Sequence, residues 1–241
     1  SSIKLRIVDA AGNPSSVATQ AYTLDTTAPT STSATIAVSG SGNANDGDVV
    51  TLTLDPSETV GTPTCTWTDG SGAMEDTSVT YATVDDTDHH TAKVTVDNAD
   101  QDGTVGFSCT FSDSAGNAVA SAVTALTGGS AITIDNTHPA ISAVSAAWGT
   151  HLNAAEDNSA GTVTITTSGA EDGQTVTTTI NSVTDTCSVS SNSCTVTVAA
   201  SDLQGLTSGT SYTIAVDVSD AAGNAATQNT GTSFIYDSTL P

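Results

Sequence analysis

"DAAGN" at residues 9–13, "DSAGN" at 113–117 and "DAAGN" at 220–224 are three copies of one five-residue turn, 104 and then 107 positions apart. In such a stretch Asp caps the turn through nearby backbone and Gly supplies the left-handed conformation of a tight hairpin, so each copy predicts two joined strands. A second mark keeps nearly the same period: "DTTAP" (25–29), "DNTHP" (135–139) and "DSTLP" (237–241). Proline and the residue before it disfavour regular continuation, which makes Asp-x-Thr-x-Pro a linker. A period near one hundred is too long for solenoid repeats and suits a string of autonomous domains. The chain divides accordingly into residues 1–27, the last two strands of a preceding domain plus a linker; 28–136, a complete domain; and 137–241, a second domain with its linker.

Between these marks the residues alternate. In "SYTIAVDVSD" (211–220), Tyr212, Ile214, Val216 and Val218 fall on one face and Thr213, Ala215, Asp217 and Ser219 on the other, the pattern of a half-buried strand. "GTVTITT" (161–167), "TVTTTI" (175–180) and "CTVTV" (194–198) repeat it, as do "VVTLTL" (49–54), "CTW" (65–67), "AKVTV" (92–96) and "VGFSCTF" (105–111). About seven short strands per hundred residues predict an all-β fold, immunoglobulin-like β-sandwiches in a tandem, rod-like array.

Composition fits that class. The chain is 37% hydrophobic but only 4% aromatic, enough for two modest cores built from Val, Ile, Leu and Ala. Lys and Arg total 3 against 26 Asp and Glu, a net charge of −23, which excludes nucleic acid as a partner. Nothing basic follows Lys93, so cations rather than internal salt bridges must neutralise these carboxylates. No apolar run is long enough to span a bilayer.

Each complete domain holds two cysteines, which predicts the pairs Cys65–Cys109 and Cys187–Cys194 and an oxidising, extracellular setting. With the strands lettered A to G, a bridge between C and F sets a register that also pairs Trp67 with Phe107. Cys187 and Cys194 would staple a shorter hairpin; two buried thiols are the alternative.

In such a sandwich the B–C and F–G loops sit at the end where the chain comes in, beside the preceding linker. The first domain gathers there linker Asp25, B–C Glu58, and F–G Asp113 and Asn117. The second gathers Asp135, Glu171, Asp172, Asp220 and Asn224. Asp46 and Asp48, and Glu156 and Asp157, lie in A–B loops at the far end, where they face the next linker, Asp135 or Asp237, and complete the junction from the other side. Oxygen ligands from several segments suit Ca²⁺, which accepts six to eight oxygens in flexible geometry. Hairpin chemistry alone accounts equally for DxAGN, and a solvated acidic surface for the average carboxylate.

The ordered set DTTAP, DSAGN, DNTHP, DAAGN and DSTLP, with "SDLQGLTSGTSYTIAVDVSD" (201–220) before the last turn, resembles the bacterial Ig-like repeats of large surface adhesins and biofilm-associated proteins. The resemblance covers almost the whole chain. It implies a non-enzymatic extracellular spacer at the cell surface, stiffened by Ca²⁺ at its junctions, with neighbouring Ig-like domains of the same long chain as partners. The cysteines depart from that family's habit, which keeps open a polymerising filament, sheath or surface-layer subunit that shares strands with other copies through residues 1–24. A carbohydrate- or ice-binding adhesin module is the second alternative, with Trp148 as its one candidate aromatic platform. "DDTDHH" (85–90) could hold a transition metal but reads better as a solvated turn, and no catalytic arrangement is visible.

Overall fold

The computed structural model describes residues 1–40, 42–84 and 89–239. A two-stranded hairpin comes first, β1 (Ser2–Leu5) with β2 (Ala18–Ala21). The first sandwich follows with β3 (Ser31–Val38), β4 (Val49–Pro56), β5 (Thr64–Thr68), β6 (Thr80–Thr83), β7 (His90–Thr95), β8 (Gly103–Thr104), β9 (Gly106–Thr110) and β10 (Thr133–Ile134). The second comprises β11 (Ala140–Ala146), β12 (His151–Asn153), β13 (Gly161–Ser168), β14 (Thr175–Ile180), β15 (Val183–Ser188), β16 (Ser193–Val198), the helical turn α1 (Ala200–Gln204), β17 (Thr210–Val218) and β18 (Asn229–Asp237).

Alternation decides which face each strand buries. Along β4, Val50, Leu52 and Leu54 are fully buried, and the Thr residues between them are not. The sheet β3-β4-β7-β6 packs this face against β5-β9, which carries Trp67 and Phe107. In the second sandwich β11-β13-β16 faces the five-stranded β12-β18-β17-β14-β15, and Val163, Ile165, Val196, Ile214, Val216 and Phe234 fill the space between. Each such side chain stabilises the fold by about 1.5–3 kcal/mol on burial.

The register predicted for strands C and F holds: Cys65 opposes Cys109, Trp67 opposes Phe107, and the two cysteines are bonded. Cys187 and Cys194 are also bonded, but the hairpin expectation needs correction. Cys187 lies on β15, paired with β14, whereas Cys194 lies on β16, paired with β13 in the opposite sheet. The bridge therefore ties the two sheets together. Left-handed Ser191 and Asn192 (φ 51° and 62°) redirect the chain, with Val189 N–H donating to Gln174 on one side and Thr167 N–H donating to Asn192 on the other.

Trp148 is corrected too. Only 8% exposed, it meets Phe234 edge-on at 5.3 Å and offers no platform. Gly161 makes the room, since a Cβ there would lie 2.4 Å from the indole. The helical turn α1, which strand periodicity did not reveal, buries Leu203 in the E–F crossover. The DDTDHH segment lies largely outside the described residues, as do Leu240 and Pro241.

Candidate metal centre at the domain junctions

All three DxAGN segments fold alike. Asp113 Oδ1 accepts the Asn117 N–H at 2.8 Å, and Asn117 Nδ2 donates to Asp113 Oδ2 at 2.7 Å. Asp220 with Asn224 (2.8 and 3.0 Å) and Asp9 with Asn13 (2.8 and 3.0 Å) repeat both bonds. Gly12, Gly116 and Gly223 have φ of 88°, 93° and 102°, the left-handed region the turn requires. The Asn amide beside Asp113, joined by backbone N–H groups, holds that carboxyl below its ordinary value, and Asp9 is lowered in the same way. These carboxylates are ionised at neutral pH.

At the incoming end of the first sandwich the turn meets its linker. Asn117 Nδ2 donates to the Asp25 carbonyl at 3.3 Å. One carboxylate oxygen each from Asp25, Glu58 and Asp113 lies within 4.8 Å of the others, the only such acidic trio among the described residues. They come from the linker, the B–C loop and the F–G turn, on an exposed, a half-buried and a buried residue respectively. Like charges this close repel, and a hard divalent cation with oxygen ligands relieves them.

The second junction uses the same elements differently. Asn224 Nδ2 donates to the Asp135 carbonyl at 2.7 Å, as Asn117 does to Asp25, and Asn45 reaches over from the first sandwich to Asn224 Oδ1 at 3.4 Å. Desolvation raises the Asp135 carboxyl above its ordinary value against the pull of the Thr137 N–H, with Asp220 and Asp102 adding repulsion. Glu171 accepts the Ala221 N–H at 2.8 Å, and Asp172 accepts the Ser191 N–H at 2.6 Å. Asn136 Oδ1 is buried with no hydrogen-bond partner.

The A–B loops do sit beside the outgoing linkers: Ala44 pairs with Ile134, and Asn153 with Asp237, in parallel. Their acids are partly committed elsewhere. Asp48 holds Ser39 Oγ (2.9 Å) and the Asn45 N–H (3.2 Å), and Glu156 holds the Asn153 N–H (3.0 Å). Asp157 is buried and accepts the Tyr236 hydroxyl at 2.6 Å, which raises that phenol's pKa. Asp46 is exposed. Thr239, through its hydroxyl and backbone N–H, and to a lesser degree Ser208 hydrogen-bond Asp237 and hold its carboxyl below the ordinary value.

Sequence reasoning missed Asp102 and Ser208. Asp102 accepts the Asn136 N–H at 2.6 Å and the Thr137 hydroxyl, while Asn136 Nδ2 donates to the Asp97 and Asp100 carbonyls at 3.0 Å each. Ser208 takes the same place in the second sandwich, accepting the Ser238 N–H at 3.0 Å. The two stand 106 positions apart, each immediately before a glycine, a signal within the period of the repeats.

No family model and no curated protein matches the chain. Among solved structures it is similar to a Ca²⁺-stabilized adhesin that helps an Antarctic bacterium reach out and bind ice, at 27% identity and a TM-score of 0.52, over 98% of this chain and 56% of that one. Other likenesses are to a 1.5-MDa bacterial ice-binding adhesin (22% identity, TM-score 0.49, 99% of this chain and 74% of that one) and to a bacterial immunoglobulin-like domain of the M. primoryensis ice-binding adhesin (33%, 0.30, 39% and 94%). The chain thus spans little more than half the length of the first of these. With the strand order above, the fold is the immunoglobulin-like sandwich, and its likeness is to the domains of bacterial adhesins.

Proposed function

We propose that the chain is an extracellular spacer of a bacterial-type cell-surface protein, a tandem Ig-like rod whose junctions are stiffened by Ca²⁺ and which carries out no catalysis. The observation that carries this reading is the convergence of Asp25, Glu58 and Asp113 within 4.8 Å where a linker meets two loops. The two disulfides support an oxidising compartment, and the likeness to a Ca²⁺-stabilized adhesin supports both context and cation. Glu58, Asp113 and Asp25 would hold one ion. Asp135, Asp220 and Glu171, with the amide oxygen of Asn136, would hold its counterpart. Extracellular modules commonly bind with a Kd of about 10⁻⁴ to 10⁻³ M, so millimolar Ca²⁺ suffices.

Residues 1–27 belong in this reading to the F and G strands of a preceding domain. Superposing Asp9 on Asp220 places Ile3, Leu5 and Ile7 on Ile214, Val216 and Val218. The pairing agrees at Leu5, which opposes Ala18 as Val216 opposes Asn229, while Ile3 opposes Gln20 one position off the Ile214–Thr232 pair because β17 and β18 carry a bulge there that β1 and β2 lack. The three residues are buried in the second sandwich, yet Ile3, Leu5 and Ile7 are 63%, 68% and 74% exposed. That apolar face also favours a second reading, strand sharing between copies of a polymerising subunit.

Small-angle scattering with and without Ca²⁺ tests the rod. A longer, better-defined maximum dimension and a higher melting temperature with Ca²⁺ are expected. Superimposable curves would remove the cation from the mechanism, and a mass rising with concentration would favour the polymer.

A further inference from the structure

The two sandwiches differ in how they would respond to a pull along the chain. In each, the linker comes in beside the F–G turn, through Asn117 or Asn224, and leaves from the opposite end beside the A–B and E–F loops. Tension therefore acts along the strands. It draws the outgoing strand and the A–B segment parallel to it in opposite directions, so the bonds between them are loaded in shear and must break together.

That parallel clamp is unequal. In the second sandwich β12 pairs with β18 over three positions, His151 with Ile235, Leu152 with Tyr236 and Asn153 with Asp237, and Ile235 N–H also donates to the Thr150 carbonyl at 3.0 Å. In the first, the counterpart among the described residues is one bridge, Ala44 with Ile134, held by two bonds of 2.8 Å. The leading strands do not offset this difference, since β3 on β4 and β11 on β13 are both antiparallel with one bulge each.

The disulfides are unequal in the opposite sense. Cys65–Cys109 closes a separation of 44 residues, and Cys187–Cys194 closes only 7. At about 3.5 Å per extended residue, the first bond withholds roughly 15 nm of chain and the second roughly 2.5 nm.

We infer that the chain is a two-stage extensible element under load: the first sandwich yields first but lengthens only part-way, and the second yields later and lengthens almost fully. The early, short step absorbs load and keeps Trp67, Phe107 and the strands between the cysteines inside a closed loop. The step lengths are independent of Ca²⁺, because both covalent loops lie within a sandwich.

Single-molecule stretching of the whole chain, held at its termini in saturating Ca²⁺, tests it. Allowing about 4 nm of folded span per sandwich, a step of roughly 18 nm is expected before one of roughly 29 nm. Cys65 and Cys109 are buried, so a phosphine reductant reaches their bond only after the sandwich opens. A chain held after its first step in reductant should then release a further ~15 nm. The long step coming first, or no release in reductant, would overturn the inference. Repeating the pull with a chelator separates it from the calcium reading, since a junction without Ca²⁺ leaves both step lengths unchanged.

Discussion

The incoming junction at Asp25 and the inner junction at Asp135 are built from the same parts and solve the same electrostatic problem in different ways. At Asp25 the linker acid, the B–C glutamate and the turn aspartate face one another within 4.8 Å. At Asp135 the glutamate turns to a backbone N–H, and neighbouring groups close on the linker: Asn45, Asn224 and Asp102, with the Asp97 and Asp100 carbonyls holding Asn136. Asn45 and Asp102 both come from the sandwich that precedes Asp135, so hydrogen bonds from both of its sandwiches orient the inner junction in addition to its acids.

The contrast is broken most strongly at the turn asparagines. Asn224→Ala removes the side-chain donor to Asp220 Oδ2 and to the Asp135 carbonyl and should cost about 2–3 kcal/mol in chemical denaturation. Asn117→Ala, at a half-buried site with a 3.3 Å linker bond, should cost about half that. Equal losses would mean the linker bonds carry no energy.

Calcium should act next in size. At ten times its Kd, a ligand specific for the folded state adds about 1.4 kcal/mol. Glu58→Gln should abolish more of the Ca²⁺-induced rise in melting temperature than Glu171→Gln, because Glu171 is already engaged.

The linker clasp comes third. Asp102→Ala should cost about 1 kcal/mol and broaden the distribution of interdomain distances seen by spin labels, whereas Ser208→Ala should cost about 0.5 kcal/mol. Asp102→Asn keeps an acceptor while removing charge, so it should restore the clasp and lower the Asp135 pKa, read by carboxyl NMR.

Acid gives the smallest, most distributed effect. Asp69, which accepts the Gln101, Ser71 and Gly72 N–H groups, titrates at about 2, and Asp76 and Asp113 are also lowered. Such carboxylates contribute stability that is present above their unfolded value and lost as pH falls through the folded one. All three lie in the first sandwich, while in the second the lowering of Asp237 is set against Asp185, which desolvation raises. Amide NMR should therefore show the first sandwich unfolding ahead of the second between pH 4 and 2.

Much of this architecture was legible because it repeats. DxAGN located the F–G turns, alternation located the buried faces, and one index sum fixed both Cys65–Cys109 and Trp67–Phe107. Features that depend on which sheet a strand joins were not legible. Cys187 and Cys194 sit seven residues apart across a turn, and only strand pairing reveals that they span the sandwich. Asp157 looked like any loop acid until Tyr236 closed over it, and Asp102 acts through a linker 34 residues away.

Calorimetric titration of the whole chain with Ca²⁺, beside a Glu58→Gln/Asp113→Asn variant, decides whether the acidic trio at Asp25 holds an ion. Saturable binding with a Kd of about 10⁻⁴ to 10⁻³ M that loses one site in the variant is the predicted result. No binding, or the same isotherm from both proteins, would contradict it.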